Sequence, residues 1–192
     1  MFELKRLLLL ALMTVFMFSG CAVHYNDVYL TQNGNPRLKS LTPTMKKKMD
    51  ELTTALIALD PAIIDPQEAQ DVAHDAYVYP MYLANDWNLT WPPLIHNTLR
   101  NAKERKAGLC VDWARAMRAR MRSKHLKTFD LYWGVAYKGN PWREHSTLIV
   151  TAKGKPFATG ILLDPWRNSG ELYWSHIQDD LNYPWKYFEG PG

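Results

Sequence analysis

Three residues in the second half of the chain have the side chains that thiol chemistry requires. Cys110 lies in the first turn of a predicted helix, His145 lies at the start of a predicted strand, and Asp164 follows the next strand. At the first turn of a helix, the dipole and the unpaired amide groups stabilise a thiolate, and the cysteine N–H faces a developing oxyanion. Such a thiol needs a base, and the base needs an orienting partner. The trio therefore predicts a nucleophile, a base and an orienting carboxylate.

A tight connection between the two strands would bring His145 and Asp164 together. A two-residue turn centred on Gly154 and Lys155 suits a primed hairpin turn, and it pairs His145 directly with Asp164. Directly opposed residues project to one face, with Cβ atoms about 4.5–5.5 Å apart. A slip of one residue would place the two side chains on opposite faces, so this prediction depends on the turn.

Each residue also has a purely structural interpretation. A lone cysteine such as Cys110 is more often a small buried hydrophobe than a nucleophile. A strand histidine is usually a satisfied polar residue, and Asp164-Pro165 is an ordinary turn start. The order and context of the three residues together favour the catalytic interpretation.

Three short motifs resemble the transglutaminase-like superfamily. They are Gly-Leu-Cys-Val-Asp-Trp-Ala at 108–114, Glu-His-Ser at 144–146 and Leu-Leu-Asp-Pro-Trp at 162–166. The resemblance covers about residues 94–174 and implies a papain-like core. It implies that Cys110 is the nucleophile, His145 the general base and acid, and Asp164 the residue that orients His145. An acyl-enzyme would form on Cys110 and be resolved by water or an amine.

The same resemblance implies a second oxyanion donor from a side chain upstream of the cysteine. The candidates are Asn97, Asn101 and the indole N–H of Trp91, and the sequence does not choose among them.

The elements that must position these residues divide into helices first and strands second. Predicted helices begin near Thr42-Pro43, at Asp65 (to about Tyr79, before Pro80), at Leu94 (to Arg105) and at Gly108 (to about Lys124). Predicted strands cover 129–137, 144–151 and 157–163, with a strand or turn at 172–174. This order predicts an α+β domain with the nucleophile helix packed on an antiparallel sheet.

The N-terminus resembles a bacterial lipoprotein signal. In residues 1–20, Lys5 and Arg6 precede an apolar run over 7–18 that is shorter than a typical transmembrane helix. Ser19-Gly20-Cys21 resembles a lipobox, which implies diacylation of Cys21 and a body in the periplasm; an uncleaved anchor is the alternative. Ala22, in place of aspartate, implies sorting to the outer membrane. We expect a polar tether over 21–40 and one domain over 41–192.

Composition and charge narrow the function classes. The chain has 192 residues, 47% hydrophobic content and two cysteines, which fits one globular domain and not a disulfide scaffold or a disordered chain. With Cys21 used as the lipid site, Cys110 would have no intrachain partner. Scattered histidines give no metal motif, and we expect no metal, no cofactor and no nucleic acid.

Charge is unevenly distributed along the chain. Residues 100–127 hold ten Lys or Arg and two acids, whereas residues 60–86 hold six acids and no Lys or Arg. We favour helices that pack with complementary charge. The alternative is a cationic rim that attracts anionic glycan, lipid headgroups or acidic peptides.

These features predict a lipid-anchored cell-envelope protein that acts as a thiol hydrolase, a peptidase or amidase, on protein or peptidoglycan peptide. The alternative is a binding or scaffolding lipoprotein that keeps the fold with a catalytically silent triad.

Overall fold

The computed structural model describes residues 20–189, so the predicted signal peptide, apart from Gly20, lies outside the described residues. The helices are α1 (Pro43–Ala58), α2 (Pro66–Asp86), α3 (Pro93–Asn101) and α4 (Cys110–Arg122). The short strands that precede α4 are β1 (Cys21–Ala22), β2 (Val28–Leu30), β3 (Pro36–Leu38) and β4 (Thr90–Trp91). The later strands are β5 (Phe129–Ala136), β6 (His145–Ala152), β7 (Ile161–Asn168), β8 (Glu171–His176) and β9 (Lys186–Phe188).

The last five strands form one antiparallel sheet in the order β8-β7-β6-β5-β9. Helices precede this sheet along the chain, so the α+β prediction is confirmed. The sequence left the aromatic C-terminus unassigned, and part of it forms the edge strand β9.

The two faces of the sheet are buried differently. On one face, Leu148 and Leu163 pack with Leu52 of α1, Val72 of α2 and Met117 of α4 in the main core. The opposite face carries a smaller cluster formed by Ala136, Ile149, Leu162 and Trp185. Because successive strand residues alternate between faces, His145 shares the face of Ile149, and Asp164 shares the face of Leu162.

Helix α2 continues past Pro80, where the sequence predicted its end. A proline inside a helix removes one backbone hydrogen bond and costs about 3 kcal/mol. Met81, Leu83 and Ala84, which follow it in the helix, are apolar and buried. Leu83, Ala84 and the capping residue Trp87 pack with Trp113 of α4. Burial of this last turn offsets the cost, since each large apolar side chain contributes about 1.5–3 kcal/mol.

The connection between β6 and β7 is not the tight turn expected at Gly154 and Lys155. It spans residues 153–160 and includes a 3-10 turn at Phe157–Thr159, where a strand was predicted. The register pairs Leu148 with Leu163 and Val150 with Ile161. Asp164 is therefore offset by two residues from the position directly opposite His145. A shift of two residues preserves the face, so both side chains still project to the same side.

Residues 21–40 fold onto the domain, contrary to the predicted tether. Strand β1 pairs with β4, which sets Cys21 opposite Trp91, and β2 and β3 form a hairpin. Val28 and Leu38 of this hairpin pack against the main core. The sequence did not predict this docking, because the segment is polar and is held partly by backbone hydrogen bonds, which do not depend on residue type.

Asn85 near the end of α2 provides one of these contacts. Its Oδ1 accepts a hydrogen bond from the Tyr25 N–H at 2.8 Å, and its Nδ2 donates to the Tyr25 carbonyl at 2.7 Å. We predict that Asn85→Ala lowers the free energy of unfolding by about 1–3 kcal/mol, because it leaves two backbone groups without partners. Amide hydrogen exchange over residues 22–38 should accelerate, whereas Asn33→Ala, in the exposed β2–β3 turn, should leave it unchanged. Unaltered exchange in Asn85→Ala would contradict the docking.

Candidate active site

Cys110 is the first residue of α4, which begins two residues later than the predicted start at Gly108 and keeps Cys110 in the first turn as predicted; its side chain is partly exposed. The turn before it is held by Asp112, whose Oδ2 accepts hydrogen bonds from the N–H groups of Gly108 at 3.0 Å and Leu109 at 3.1 Å. These bonds satisfy amide groups that a helix start leaves without intrahelical partners. Asp112 thus fixes the helix N-terminus that carries the thiol.

Gly108 and His96 fix the conformation of the chain just before this helix. Gly108 has φ +125°, a conformation that favours glycine, and a Cβ built there would lie 2.1 Å from His96 Nε2. His96 is fully buried; its Nδ1 accepts from the Thr90 N–H at 3.2 Å, and its Nε2 donates to the Ala107 carbonyl at 2.8 Å. One acceptor and one donor require a neutral ring. Burial lowers the pKa of His96, against a smaller raising effect of the Ala107 carbonyl.

His96 was missed by the sequence analysis. Its role depends on contacts with Thr90 and Ala107, which lie six residues before it and eleven residues after it. Neither contact follows from a helical or strand periodicity. The only signal was the glycine two residues before Cys110, and that glycine does not identify its neighbour.

His145 and Asp164 are in contact. His145 Nε2 and Asp164 Oδ2 are 2.6 Å apart, and the two residues are 2% and 1% exposed. The carboxylate therefore fixes the imidazole in one orientation, with Nδ1 as its remaining nitrogen.

The nitrogen Nδ1 is buried and has no hydrogen-bond partner within residues 20–189. The Cys110 Sγ lies 3.9 Å from the carbonyl oxygen of Glu144, the residue that precedes His145. The thiol is near enough to the imidazole to affect its titration. In resting enzymes, catalytic hydrogen bonds are often long and tighten when substrate binds.

The pKa of His145 reflects opposing effects. Burial lowers it, but the charge and hydrogen bond of Asp164, together with the Cys110 thiol, raise the pKa to about 9. The imidazole is therefore protonated at neutral pH. A protonated histidine beside a cysteine stabilises the thiolate.

Three aromatic rings enclose the imidazole. Ring centroids of Trp166, Tyr183 and Trp185 lie 4.7, 4.8 and 5.4 Å from that of His145. Two of these rings come from the C-terminal segment, which the sequence analysis did not place. They limit water access to the His145–Asp164 pair.

The three oxyanion candidates differ in their positions. Trp91 is exposed on β4, opposite Cys21, and Asn101 is exposed at the end of α3. Asn97 is half-buried, and its Oδ1 accepts a hydrogen bond at 3.2 Å from the indole of Trp166, which lies against His145. Of the three, Asn97 is the one that contacts a residue next to the predicted triad, and its amide N–H groups are its donors.

Arg167 is a further member of the site that the sequence analysis missed. Its Nε donates to Asp164 Oδ2 at 2.7 Å, while the Trp166 N–H donates to Asp164 Oδ1 at 3.1 Å. Both oxygens of the orienting carboxylate are therefore occupied. Arginine three residues after aspartate is too common a spacing to signal this contact.

The uneven charge of the sequence corresponds to packed ion pairs. Asp75 of α2 is 1% exposed and lies 2.6 Å from Arg120 Nε and 2.9 Å from Lys124 Nζ, and Asp86 lies 2.8 Å from Lys106. The favoured interpretation, complementary packing, is confirmed for these pairs.

Two further observations concern metal ions and membranes. In residues 20–189, no three His, Cys, Asp or Glu side chains are grouped so that they could hold a metal ion. None of the helices in that range has the length and apolar character needed to cross a membrane.

Comparisons of the chain with protein families, curated proteins and solved structures find no match.

The raised pKa of His145 makes stability depend on pH. The folded chain retains this proton to about pH 9, whereas an unfolded histidine loses it near pH 6.5. The stabilising contribution is therefore full below about pH 6.5 and is lost as the pH rises through 9. We predict that the free energy of unfolding falls over this interval by up to about 1.4 kcal/mol per pH unit.

Urea unfolding at a series of pH values between 6 and 10 measures this dependence. His145→Gln should show a flatter profile, whereas His125→Gln, at an exposed position, should keep the wild-type slope. Identical slopes in all three proteins would contradict the assignment.

Proposed function

We propose that this chain is a lipid-anchored cell-envelope protein with a transglutaminase-like, papain-type core that hydrolyses amide bonds in protein or peptidoglycan peptides. The observation that carries the proposal is the 2.6 Å contact between His145 and Asp164. It leaves Nδ1 of the imidazole without a hydrogen-bond partner among the described residues, near a thiol that begins a helix. This is the order of groups that nucleophilic thiol catalysis needs.

The reaction follows from the charges of the site. The Cys110 thiolate attacks the carbonyl carbon of the amide, and the oxyanion forms near the N-terminus of α4, where the Cys110 N–H stabilises it. Nδ1–H of His145 donates its proton to the leaving amine, which departs as the thioester forms. His145, now neutral, accepts a proton from the water that attacks the thioester, and the acid product and the thiolate–imidazolium pair result.

Hydrolysis is favoured over transfer to an amine. Water is abundant in the envelope, and nothing in the sequence specifies a site for an amine acceptor. Asn97 is our preferred second oxyanion donor because it contacts Trp166 beside His145.

A second candidate function is a binding or scaffolding lipoprotein with a silent triad. The observation in its favour is the 2% exposure of His145 behind three aromatic rings. On this alternative the imidazole stabilises the fold and does not activate Cys110. The two candidates therefore differ in the reactivity of the thiol.

Alkylation of Cys110 by iodoacetamide separates the two candidates. At pH 6 a free thiol is almost entirely protonated and unreactive, whereas an imidazolium-stabilised thiolate reacts. We predict that the wild-type Cys110 is alkylated at least about tenfold faster than in His145→Ala, as measured by peptide-resolved mass spectrometry. His125→Ala, at an exposed position, should match the wild type. Equal rates in the wild type and His145→Ala would favour the silent alternative.

The lipid anchor is proposed from the lipobox resemblance at Cys21. Support comes from the exposure of Cys21 at the start of β1, where an acylating enzyme can reach it. We predict that cells fed a palmitate analogue label the wild-type chain and the Cys110→Ser variant but not Cys21→Ser, as detected on gels after affinity capture. Label that persists in Cys21→Ser would refute the anchor at this residue.

A further inference from the structure

The C-terminal strap, defined as residues 177–188, is the least expected part of the fold. Strand β8 lies at one edge of the sheet and β9 at the other, so the strap must cross the intervening strands. The N–H of Ile177 donates to the Gly160 carbonyl beside β7, and Trp185 packs with Ile149 and Leu162. The strap therefore crosses the face that carries His145 and Asp164.

A partly buried arginine connects this strap to the predicted triad. Arg167 donates through Nε to Asp164 at 2.7 Å, and its two terminal nitrogens contact the carboxylate of Asp180 in the strap. The guanidinium lies between the rings of Tyr173 and Tyr183, 4.2 and 4.6 Å from their centroids. A planar fork that bridges two carboxylates and stacks on aromatic rings is a geometry that lysine cannot reproduce.

Asp180 in turn shapes the strap. It is 5% exposed, and it accepts hydrogen bonds from the Trp185 indole at 2.8 Å and the Asn182 N–H at 3.3 Å. These bonds curl the chain around the carboxylate and bring Trp185 and Tyr183 against His145. The position of the rings that enclose the imidazole thus depends on the Asp180 carboxylate.

We propose that Arg167 and Asp180 are positioning residues that hold the Asp164 carboxylate, and through it the His145 imidazole, in the orientation that presents Nδ1 to Cys110. The proposal rests on the function proposed above. Asp164 Oδ2 is shared by His145 and Arg167, so the arginine restrains the carboxylate from rotating away from the imidazole. The strap rings restrain the imidazole from the other side. The unit is held by buried, paired charges, and removal of one member leaves the others uncompensated.

The test uses the iodoacetamide rate of Cys110 at pH 6 divided by the rate at pH 10, measured on the full chain by peptide-resolved mass spectrometry. The rate at pH 10 reports access to the thiol, so the ratio isolates the effect of the imidazole. We expect the ratio to fall at least about tenfold in Arg167→Gln, because small displacements of a catalytic group cost one to two orders of magnitude. Arg167→Lys should recover part of the loss, because it keeps the charge.

Asp180→Asn provides an independent variant, since it keeps Arg167 and disturbs only the strap end of the link. Its ratio should also fall, whereas Asp179→Asn, at the exposed neighbouring position, and Arg37→Gln, an exposed arginine on β3, should keep the wild-type ratio. Circular dichroism and thermal melts identify the variants that fold. If Arg167→Gln does not fold, the Asp180→Asn ratio decides.

A ratio within twofold of the wild type in folded Arg167→Gln or in Asp180→Asn overturns the positioning role, because a purely structural contact would change the melting temperature alone. This outcome is distinct from failure of the proposed function. In that case the wild-type ratio would already equal that of His145→Ala, and the positioning role would fall with it.

Discussion

The buried Asp164 carboxylate accepts hydrogen bonds from two cations, the buried His145 imidazolium and the partly buried Arg167 guanidinium. An ionised group in such a place costs several kcal/mol unless its charge is matched and its hydrogen bonds are made. The carboxylate and the two cations therefore compensate one another's desolvation cost. Arg167 needs a second anion as well, and Asp180 provides it from the strap. The requirement to pair charges links β6, β7 and the C-terminus into one unit.

The thiol is positioned by a separate set of contacts on the other side of the site. Asp112 caps the turn before α4, and His96 fills the space that a side chain at position 108 would need. None of these contacts involves Arg167 or the strap. The proposed nucleophile and base are thus held by two separate local frameworks; α4 packs on β6 and β7 through Met117, and Cys110 Sγ lies near the Glu144 carbonyl. A change in one framework should therefore alter the approach of the two groups without dismantling the other.

Periodicity and start signals were sufficient for most of the longer elements, because a buried helix or strand repeats its apolar positions many times. They located α1, α4, β5 and β6 to within a few residues. The register of β6 and β7 was wrong by two residues, since a turn at Gly154 cannot be distinguished by sequence from a longer connection. The prediction that His145 and Asp164 lie together was nevertheless confirmed, because a shift of two residues keeps both side chains on the same face of the sheet. Arg167, His96 and the strap were missed because their roles depend on a few specific hydrogen bonds and ring contacts between elements, and such contacts leave no periodic pattern.

The docking of residues 21–40 changes what a lipid at Cys21 would do. A flexible tether would let the domain sample many orientations above the membrane. Here Cys21 is already part of a strand that pairs with Trp91, and β4 leads directly into α3, whose His96 holds the turn before the nucleophile. If Cys21 carries the lipid, the first acyl chain begins at the surface of the domain and not at the end of a linker. The anchor and the Cys110 helix would then share one rigid support, which restricts the substrates to those that can approach close to the membrane surface.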